Sequence, residues 1–171
     1  MDNASQIVFG KCDGTGAAIN VCLGFVPRFV KVINLEDSGS KWPSAEYWDV
    51  VRANVSAFDE GVKEYDDGSQ MRRAALASAG ISPYDGGDEI FYDGETDGRW
   101  EDSAGTIKEE VYVDGKYCGT GAYKCIGDTL LGHEPTAGDH GAKVTTPPGF
   151  TIGTDSDLNQ DGEQLVWMAI Q

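Results

Sequence analysis

Apolar and polar residues alternate in short blocks along this chain, and the clearest blocks lie at its C-terminal end. An apolar arm, 150–153, is followed by a loop rich in Asp, Asn and Gly and then by a second apolar arm, 165–170. Two apolar arms around such a loop predict a β-hairpin over residues 149–171. Both faces of the second arm are apolar, so we expect that strand to lie inside a packed sheet.

Similar blocks near the start predict further strands. Residues 7–12 and 19–23 flank a Gly-rich turn and are expected to pair, and residues 29–33 alternate after Pro27. Proline has no N–H to donate, so it separates the second block from the third. We expect the N-terminal strands within residues 5–34 and the C-terminal hairpin to form the core sheet, which residues 49–148 elaborate.

One segment has the pattern of a helix. Ser69 can cap its N-terminus, alanine and leucine fill residues 74–79, and Gly80 can end it. The pattern predicts a short helix over residues 69–80. Arg72 and Arg73 within it are the densest positive charge of the chain, and they either solvate a helix face or dock on an acidic neighbouring subunit.

The chain from 81 to 148 is rich in Asp, Gly and Glu, which predicts long acidic loops with short strands between them. The clearest hairpin there joins 109–113 to 116–118 through the turn Asp114-Gly115. A second turn at Gly121-Ala122 returns the chain as residues 123–126. Loops of such length usually carry function or are ordered by a partner, and we expect neighbouring subunits to order these.

Composition favours one β-rich domain over residues 1–171. The chain is 40% hydrophobic, enough for one core, and seven of its 23 glycines follow an aspartate, which supplies tight turns. The expected fold class is mainly β, an antiparallel β-sandwich or barrel-like module with one short helix and long acidic loops.

The net charge restricts the partners. Thirteen basic against 29 acidic residues give a formal charge of -16, the wrong sign for holding phosphate backbones or anionic lipids. We therefore expect neither nucleic acid nor a membrane as partner. No apolar run approaches the ~20 residues of a membrane span, and the N-terminal residues do not resemble a secretory signal, so we expect synthesis in the cytoplasm.

The predicted turns place the four cysteines in two pairs. Cys118 faces Cys125 across the turn at 121–122, and Cys12 faces Cys22 across the first turn. Opposed residues of an antiparallel pair are close enough for a disulfide, whereas a reducing cytoplasm favours thiols. We expect an oxidised Cys118–Cys125 pair and buried thiols at Cys12 and Cys22.

The C-terminal loop contains the one metal-like pattern, Asp157-x-Asn159-x-Asp161-Gly162, which copies the first half of an EF-hand loop. Met168 stands where the bidentate Glu would be, and Asp and Asn are common at turns, so a turn is favoured over calcium. Neither a zinc spacing nor a Gly-x-Ser-x-Gly elbow occurs, and the 29 acids do not single out one carboxylate pair for glycoside hydrolysis. We expect no cofactor and no enzymatic activity.

A polar loop over residues 36–46 leads into an aromatic cluster of Trp42, Tyr47 and Trp48. Such a cluster is either a small satellite core beneath the loop or a contact surface. The satellite core is favoured because aromatic side chains are more often buried than exposed.

Two motifs carry a resemblance to a known family. They are Gly-Phe-x-Pro-x-x-Val-x-Val-Ile at 24–33, followed by Trp42, and Gly-Phe-Thr-Ile-Gly-Thr-Asp-x-Asp-x-Asn-x-x-Gly-Glu at 149–163, before the Trp-bearing last strand. Over residues 7–48 and 149–171 the chain resembles a family of tailed-bacteriophage virion proteins. The resemblance implies a small β-rich module of a tail, fibre or capsid surface, made in the host cytoplasm and located on the virion surface.

Within that family, we expect a capsid decoration (cement) protein, because the chain is one small acidic domain with neither a repeat nor a fibre segment. The resemblance implies other virion subunits as partners, the major capsid protein first, and a homo-oligomer, often a trimer in decoration proteins of this size. The alternative is a tail-fibre or receptor-binding module that contacts host surface glycans. An enzyme is the third hypothesis.

Overall fold

The protein is mainly β. Its computed structural model describes residues 6–36, 42–49, 54, 56–87, 89–93, 99–102, 107–108, 112–113, 116–117, 123–125 and 143–171. The sheets are antiparallel in the main, and two sheets pack in a sandwich-like manner, which confirms the predicted fold class.

The strands of the described part, in chain order, are β1 Ile7–Asp13, β2 Ile19–Cys22, β3 Phe29–Asn34, β4 Ser44–Trp48, β5 Val62–Asp66, β6 Met71–Ala75, β7 Ile81–Tyr84, β8 Glu89–Asp93, β9 Arg99–Asp102, β10 Ile107–Lys108, β11 Tyr112–Val113, β12 Lys116–Tyr117, β13 Tyr123–Cys125, β14 Lys143–Thr145, β15 Gly149–Ile152 and β16 Gln164–Ile170. A 3₁₀ turn, Ser56–Phe58, precedes β5. The chain forms two compact units, the first comprising residues 1–18, 27–83 and 151–171, and the second residues 19–26 and 84–150.

The first unit is built on a six-stranded sheet with the order β1-β16-β3-β4-β5-β6. Each neighbouring pair is antiparallel, and β16 pairs with β1 on one side and with β3 on the other. The last strand therefore has a neighbour on each side, as expected, but only one of its two apolar faces is buried, because Met168 and Ile170 stay half-buried on the other face.

Alternation along the strands of this sheet creates one buried face. The fully or almost fully buried side chains of that face are Val30, Val32, Ala45, Tyr47, Leu165, Trp167 and Ala169. Leu76, Ile81, Ile152 and Leu158 are also buried in this unit, in which the last two residues of β15 lie beside β7. The buried aliphatic and aromatic area is the main source of stability for the unit.

In the second unit, β2 lies between β13 and the first two residues of β15. The β2–β13 pair is parallel, and the strands of a further sheet follow the order β10-β9-β8-β14. The predicted hairpin around Asp114-Gly115 is confirmed in its backbone, since Tyr112 pairs with Tyr117 and Val113 with Lys116. Long acidic loops are expected over 80–105 and 127–148. Residues 88, 94–98, 103–105 and 127–142 of these stretches lie outside the described residues, and the described parts include β7, β8, β9 and β14.

The predicted C-terminal hairpin over 149–171 is wrong. Its two arms are strands, but β15 belongs to a different sheet from β16. Backbone hydrogen bonds tie the start of the connecting loop to the turn before β7, from Gly153 N to Gly80 O at 2.6 Å and from Asp155 N to Ala79 O at 2.9 Å. The loop is long, so it does not force its flanking strands to pair as a tight turn would.

The predicted helix over residues 69–80 is also wrong. Residues 71–75 form β6, which pairs antiparallel with β5. Asp67 stabilises the connecting turn, because its Oδ1 accepts hydrogen bonds from the N–H groups of Ser69 and Gln70 at 3.0 Å. Helix propensity differences are fractions of a kcal/mol per residue, which pairing with a formed sheet can outweigh.

The predicted pairing of Cys12 with Cys22 is wrong as well. β1 is paired along its whole length with β16, which sets Cys12 opposite Leu165. Cys22 lies in register with Cys125 on the parallel strand β13. Both Cys12 and Cys22 are buried thiols, as expected. Cys118 lies outside the described residues, so its disulfide with Cys125 stays a prediction.

Candidate docking face and the Trp48 pocket

The outward face of the six-stranded sheet, which we call the open face, carries an unusual number of apolar side chains. Along one register row, Ile7 on β1 pairs with Ile170, Ile170 with Phe29, and Phe29 with Trp48 on β4. Phe9 and Met168 follow in the next row. The solvent-exposed face of an antiparallel sheet normally carries polar residues, so the apolar residues of the open face are unusual.

Five side chains define what we call the apolar patch: Ile7, Phe9, Phe29, Met168 and Ile170. Phe9 is 66% exposed and Ile7 55%, while the other three are half-buried. Contiguous exposed apolar surface of this kind marks sites of protein–protein contact more often than it marks inert surface. The patch is therefore the first candidate for a docking site.

Trp48 lies beside the patch in a fixed orientation. Its ring centroid is 4.5 Å from that of Phe29, with an edge-to-face angle of 63°. Although it packs against Phe29, Trp48 remains 45% exposed.

Glu46, two residues before Trp48 on β4, is paired with a lysine. Lys31 Nζ donates to Glu46 Oε1 at 2.8 Å across the β3–β4 pair. The Lys31 hydrogen bond is the main reason that the pKa of Glu46 lies below its ordinary value, and Trp48 contributes in the same direction against the opposing effect of burial. Glu46 is therefore a carboxylate that is paired with a cation.

A pocket of about 320 Å³ opens next to Trp48 on the β4–β6 part of the open face. The residues that line it are Ser44, Glu46, Trp48, Phe58, Val62, Glu64 and Arg73. Arg73 Nε donates to Glu64 Oε1 across the β5–β6 pair. The Trp48 pocket, as we call it, thus has aromatic and aliphatic walls and two ion pairs at its rim.

The structure separates the predicted contact residues. Residues 44–48 form a strand, not a loop, so Tyr47 points to the core and is 1% exposed, whereas Trp48 points outward. The favoured satellite core is thus wrong: Tyr47 is buried in the main core of the sheet, and Trp42 and Trp48 are exposed. Trp42 is 66% exposed and does not line the pocket. Arg73 reaches the pocket, but Arg72 is ion-paired with Asp67 at 2.6 Å.

The EF-hand-like loop is built around a lysine. Lys63 Nζ lies 2.7 Å from Asp155 Oδ2 and 2.6 Å from Asp157 Oδ2. Burial works against the charge of Lys63, but the hydrogen bonds to the two carboxylates outweigh burial and raise its pKa. The ammonium group occupies the place that a cation would take beside Asp157.

Asn159, the second member of that pattern, is buried and turned inward. Its Oδ1 accepts from Thr15 N at 2.9 Å, and its Nδ2 donates to Ala17 O at 2.6 Å and to Gly153 O at 2.8 Å. Asp161 is exposed. The three residues therefore belong to a folded loop, and their side chains do not converge on one point. Among the described residues, no group of three His, Cys, Asp or Glu could hold a metal ion.

The sequence pattern does not identify the open face. It predicts a strand that contains Ile7 and Phe9 but does not show that both side chains face water. Ile7, Phe9 and Lys11 lie on one side of β1, and Cys12 lies on the other. This alternation shows which residues share a side, but the exposed side can be identified only when the neighbours of β1 are known.

In the described part of the chain, no helix has the length and apolar character needed to span a membrane.

Comparison of the chain with protein-family models, with curated proteins and with solved structures gave no match.

Proposed function

We propose that this protein is a structural subunit of a tailed-phage virion, a decoration protein that adds to the assembled shell through its apolar patch. The observation that carries the proposal is the patch itself, in which Ile7 and Phe9 are more than half exposed on an open sheet face. The family resemblance of the two terminal segments supports the virion setting. The occupant of the patch is the shell surface, through the major capsid protein.

The charges favour a protein surface as occupant. The chain carries a formal charge of -16, yet none of the five patch residues is charged, and the nearby Lys31 is paired with Glu46. An apolar shell surface meets no charge on the five patch side chains themselves, whereas phosphate and anionic lipid would be repelled by the net charge of the molecule. Burying each exposed patch side chain contributes ~1.5 to 3 kcal/mol.

A binding test with matched variants addresses the docking site. Purified particles that lack the protein are mixed with the parent, Phe9→Ser or Ile7→Ser, and bound copies are counted after sedimentation. The patch variants should bind about tenfold or more weakly. Trp42→Ser is the control, because Trp42 is as exposed as Phe9 but does not belong to the patch. Equal binding of all variants would exclude the patch.

A second measurement addresses the function. A subunit that binds only the assembled shell raises the stability of that shell as its occupancy rises. Particles saturated with the protein should release their genome at a higher temperature than particles without it. Equal release temperatures at full occupancy would contradict a cementing role, and absence of the protein from purified particles would contradict the virion assignment.

The second candidate is a tail-fibre or receptor-binding module that contacts host surface glycans, and the Trp48 pocket favours it. Imaging of intact particles separates the two. Many symmetric copies on the head support decoration, and a few copies on the tail support receptor binding. The same images would give the oligomeric state, for which we propose a homo-oligomer.

A further inference from the structure

We propose that the Trp48 pocket binds a neutral saccharide ring. Trp48 contacts the apolar patch at Phe29, but the pocket opens over β4, β5 and β6, and saccharide binding there does not depend on the shell-binding proposal. It stands on the fixed orientation of Trp48, the polar groups at the rim and the balance of charge around them.

The indole provides the platform. A pyranose ring has one face that is largely C–H, and such a face packs on an aromatic ring that is both exposed and amphipathic. Trp48 is 45% exposed, and its ring packs edge-to-face against the Phe29 ring. A side chain already ordered in the free protein loses little conformational entropy on binding, which favours even a small ligand.

The rim supplies hydroxyl-binding groups. Glu64 and Arg73 lie on neighbouring strands as a cross-strand pair and line the same pocket as Ser44. A carboxylate accepts and a guanidinium donates in planar geometry, so together they suit adjacent hydroxyl groups. The pocket therefore offers an apolar floor with donors and acceptors at one side, as small polar ligands require.

The charge balance selects a neutral ligand. Each carboxylate of the pocket has its own cation, Glu46 with Lys31 and Glu64 with Arg73. An anionic sugar or a phosphate would have to compete with Glu64 for Arg73, in a chain whose net charge repels anions. A cationic ligand would have to displace Lys31 or Arg73. A neutral polyhydroxyl compound can hydrogen-bond to both pairs without separating them.

The dimensions fit a small ligand. The volume of about 320 Å³ lies at the lower end of the range for small-molecule sites. One sugar unit inside the pocket, with its neighbours extending into solvent, is the arrangement this volume supports. The ligand class is thus a neutral hexose or N-acetylhexosamine within a surface glycan.

The pocket can be tested independently of the patch. Ile7 and Trp48 lie in the same register row, with β16 and β3 between their strands, a separation of roughly 14 Å at the usual strand spacing of ~4.8 Å. Substitutions this far apart act independently in most proteins. Loss of saccharide binding and loss of shell binding are therefore separable results.

Saturation-transfer NMR of the whole chain with neutral oligosaccharides of glucose, galactose, mannose and N-acetylglucosamine is the direct measurement. At least one should bind the parent, and Trp48→Ala should weaken that binding about tenfold or more. Trp48→Phe, which keeps an aromatic ring, should retain part of the affinity. Arg73→Ala should weaken binding, while the matched controls Trp42→Ala and Arg72→Ala should leave it unchanged.

Thermal unfolding of each variant verifies that it is folded. If Trp48→Ala does not fold, Trp48→Phe still tests the role of the indole ring. Three results would overturn the inference: no neutral saccharide binds the parent, Trp48 variants bind as the parent does, or only charged sugars or basic peptides bind. Each of these leaves the shell-binding measurement with Phe9→Ser unaffected.

Discussion

Gly10 lies directly opposite Trp167 in the β1–β16 pair, and the indole ring fills the space where a side chain at residue 10 would be. A Cβ atom at residue 10 would lie 2.6 Å from Trp167 Cε2, closer than real Cβ contacts come. Trp167 is 4% exposed. The largest side chain of the last strand thus packs in the core because the first strand has a glycine at this position.

Gly10→Ala should destabilise the protein by ~1 to 3 kcal/mol, since it overpacks a buried ring. Chemical denaturation gives the change in free energy of unfolding. In the double variant with Trp167→Phe, the smaller ring should relieve part of the clash, so the two effects should be non-additive. Additive effects would show that the ring does not limit residue 10.

Trp167→Ala should cost ~3 to 5 kcal/mol of stability, because it empties a buried site in the centre of the sheet. The residue points away from the open face, so any folded fraction should bind particles with the parent's affinity. Unfolding curves and the sedimentation assay measure the two effects separately. An unchanged unfolding midpoint combined with lost binding would reverse the assignment of Trp167 to the core.

Lys63→Met should destabilise the protein by ~1 to 3 kcal/mol, because Asp155 and Asp157 would lose the ammonium that both carboxylates bind. Methionine keeps most of the aliphatic part of the lysine side chain, so the loss of stability can be attributed to the loss of the ammonium charge. The control is Lys11→Met on exposed β1, which should change the free energy of unfolding by less than ~0.5 kcal/mol. Equal effects at both positions would contradict the role of Lys63 in the loop.

Glu46 should make stability depend on pH in the acid range. Its pKa is lowered in the folded protein, so its contribution is complete above the ordinary value of 4.5 and is lost as pH falls through the folded value. The stability difference between the parent and Glu46→Gln should therefore shrink on acidification. Urea titrations across this range measure it, and a difference that grows at low pH would have the wrong sign.

Asn159→Asp should destabilise the C-terminal loop by ~1 to 3 kcal/mol, because it replaces two amide donations to carbonyl oxygens with a buried carboxylate. Asp161→Asn, in the same loop but exposed, is the matched control and should be almost neutral. Thermal unfolding with and without added calcium completes the test. A calcium-dependent rise in the melting midpoint of the parent would support a metal site in the loop instead.

The sequence by itself determined the β-rich class, the internal position of β16 and the hairpin around Asp114-Gly115. These features depend on local signals: glycines after aspartate, and apolar residues on both faces of one strand. The presence of β15 was predicted for the same reason, although not its sheet. Local patterns act over a few residues, so they specify strands and tight turns without specifying distant partners.

Only the tertiary structure decided which strands pair and which faces meet water. β16 pairs with the whole length of β1, so β1 is not available to pair with β2 as expected. Instead, β2 pairs with β13, which sets Cys22 in register with Cys125. The Ala-rich segment after Ser69 became β6 because an antiparallel partner was available in β5. The open face arose in the same way: alternation shows that Ile7 and Phe9 share a side, but burial of that side depends on contacts between residues far apart in the chain.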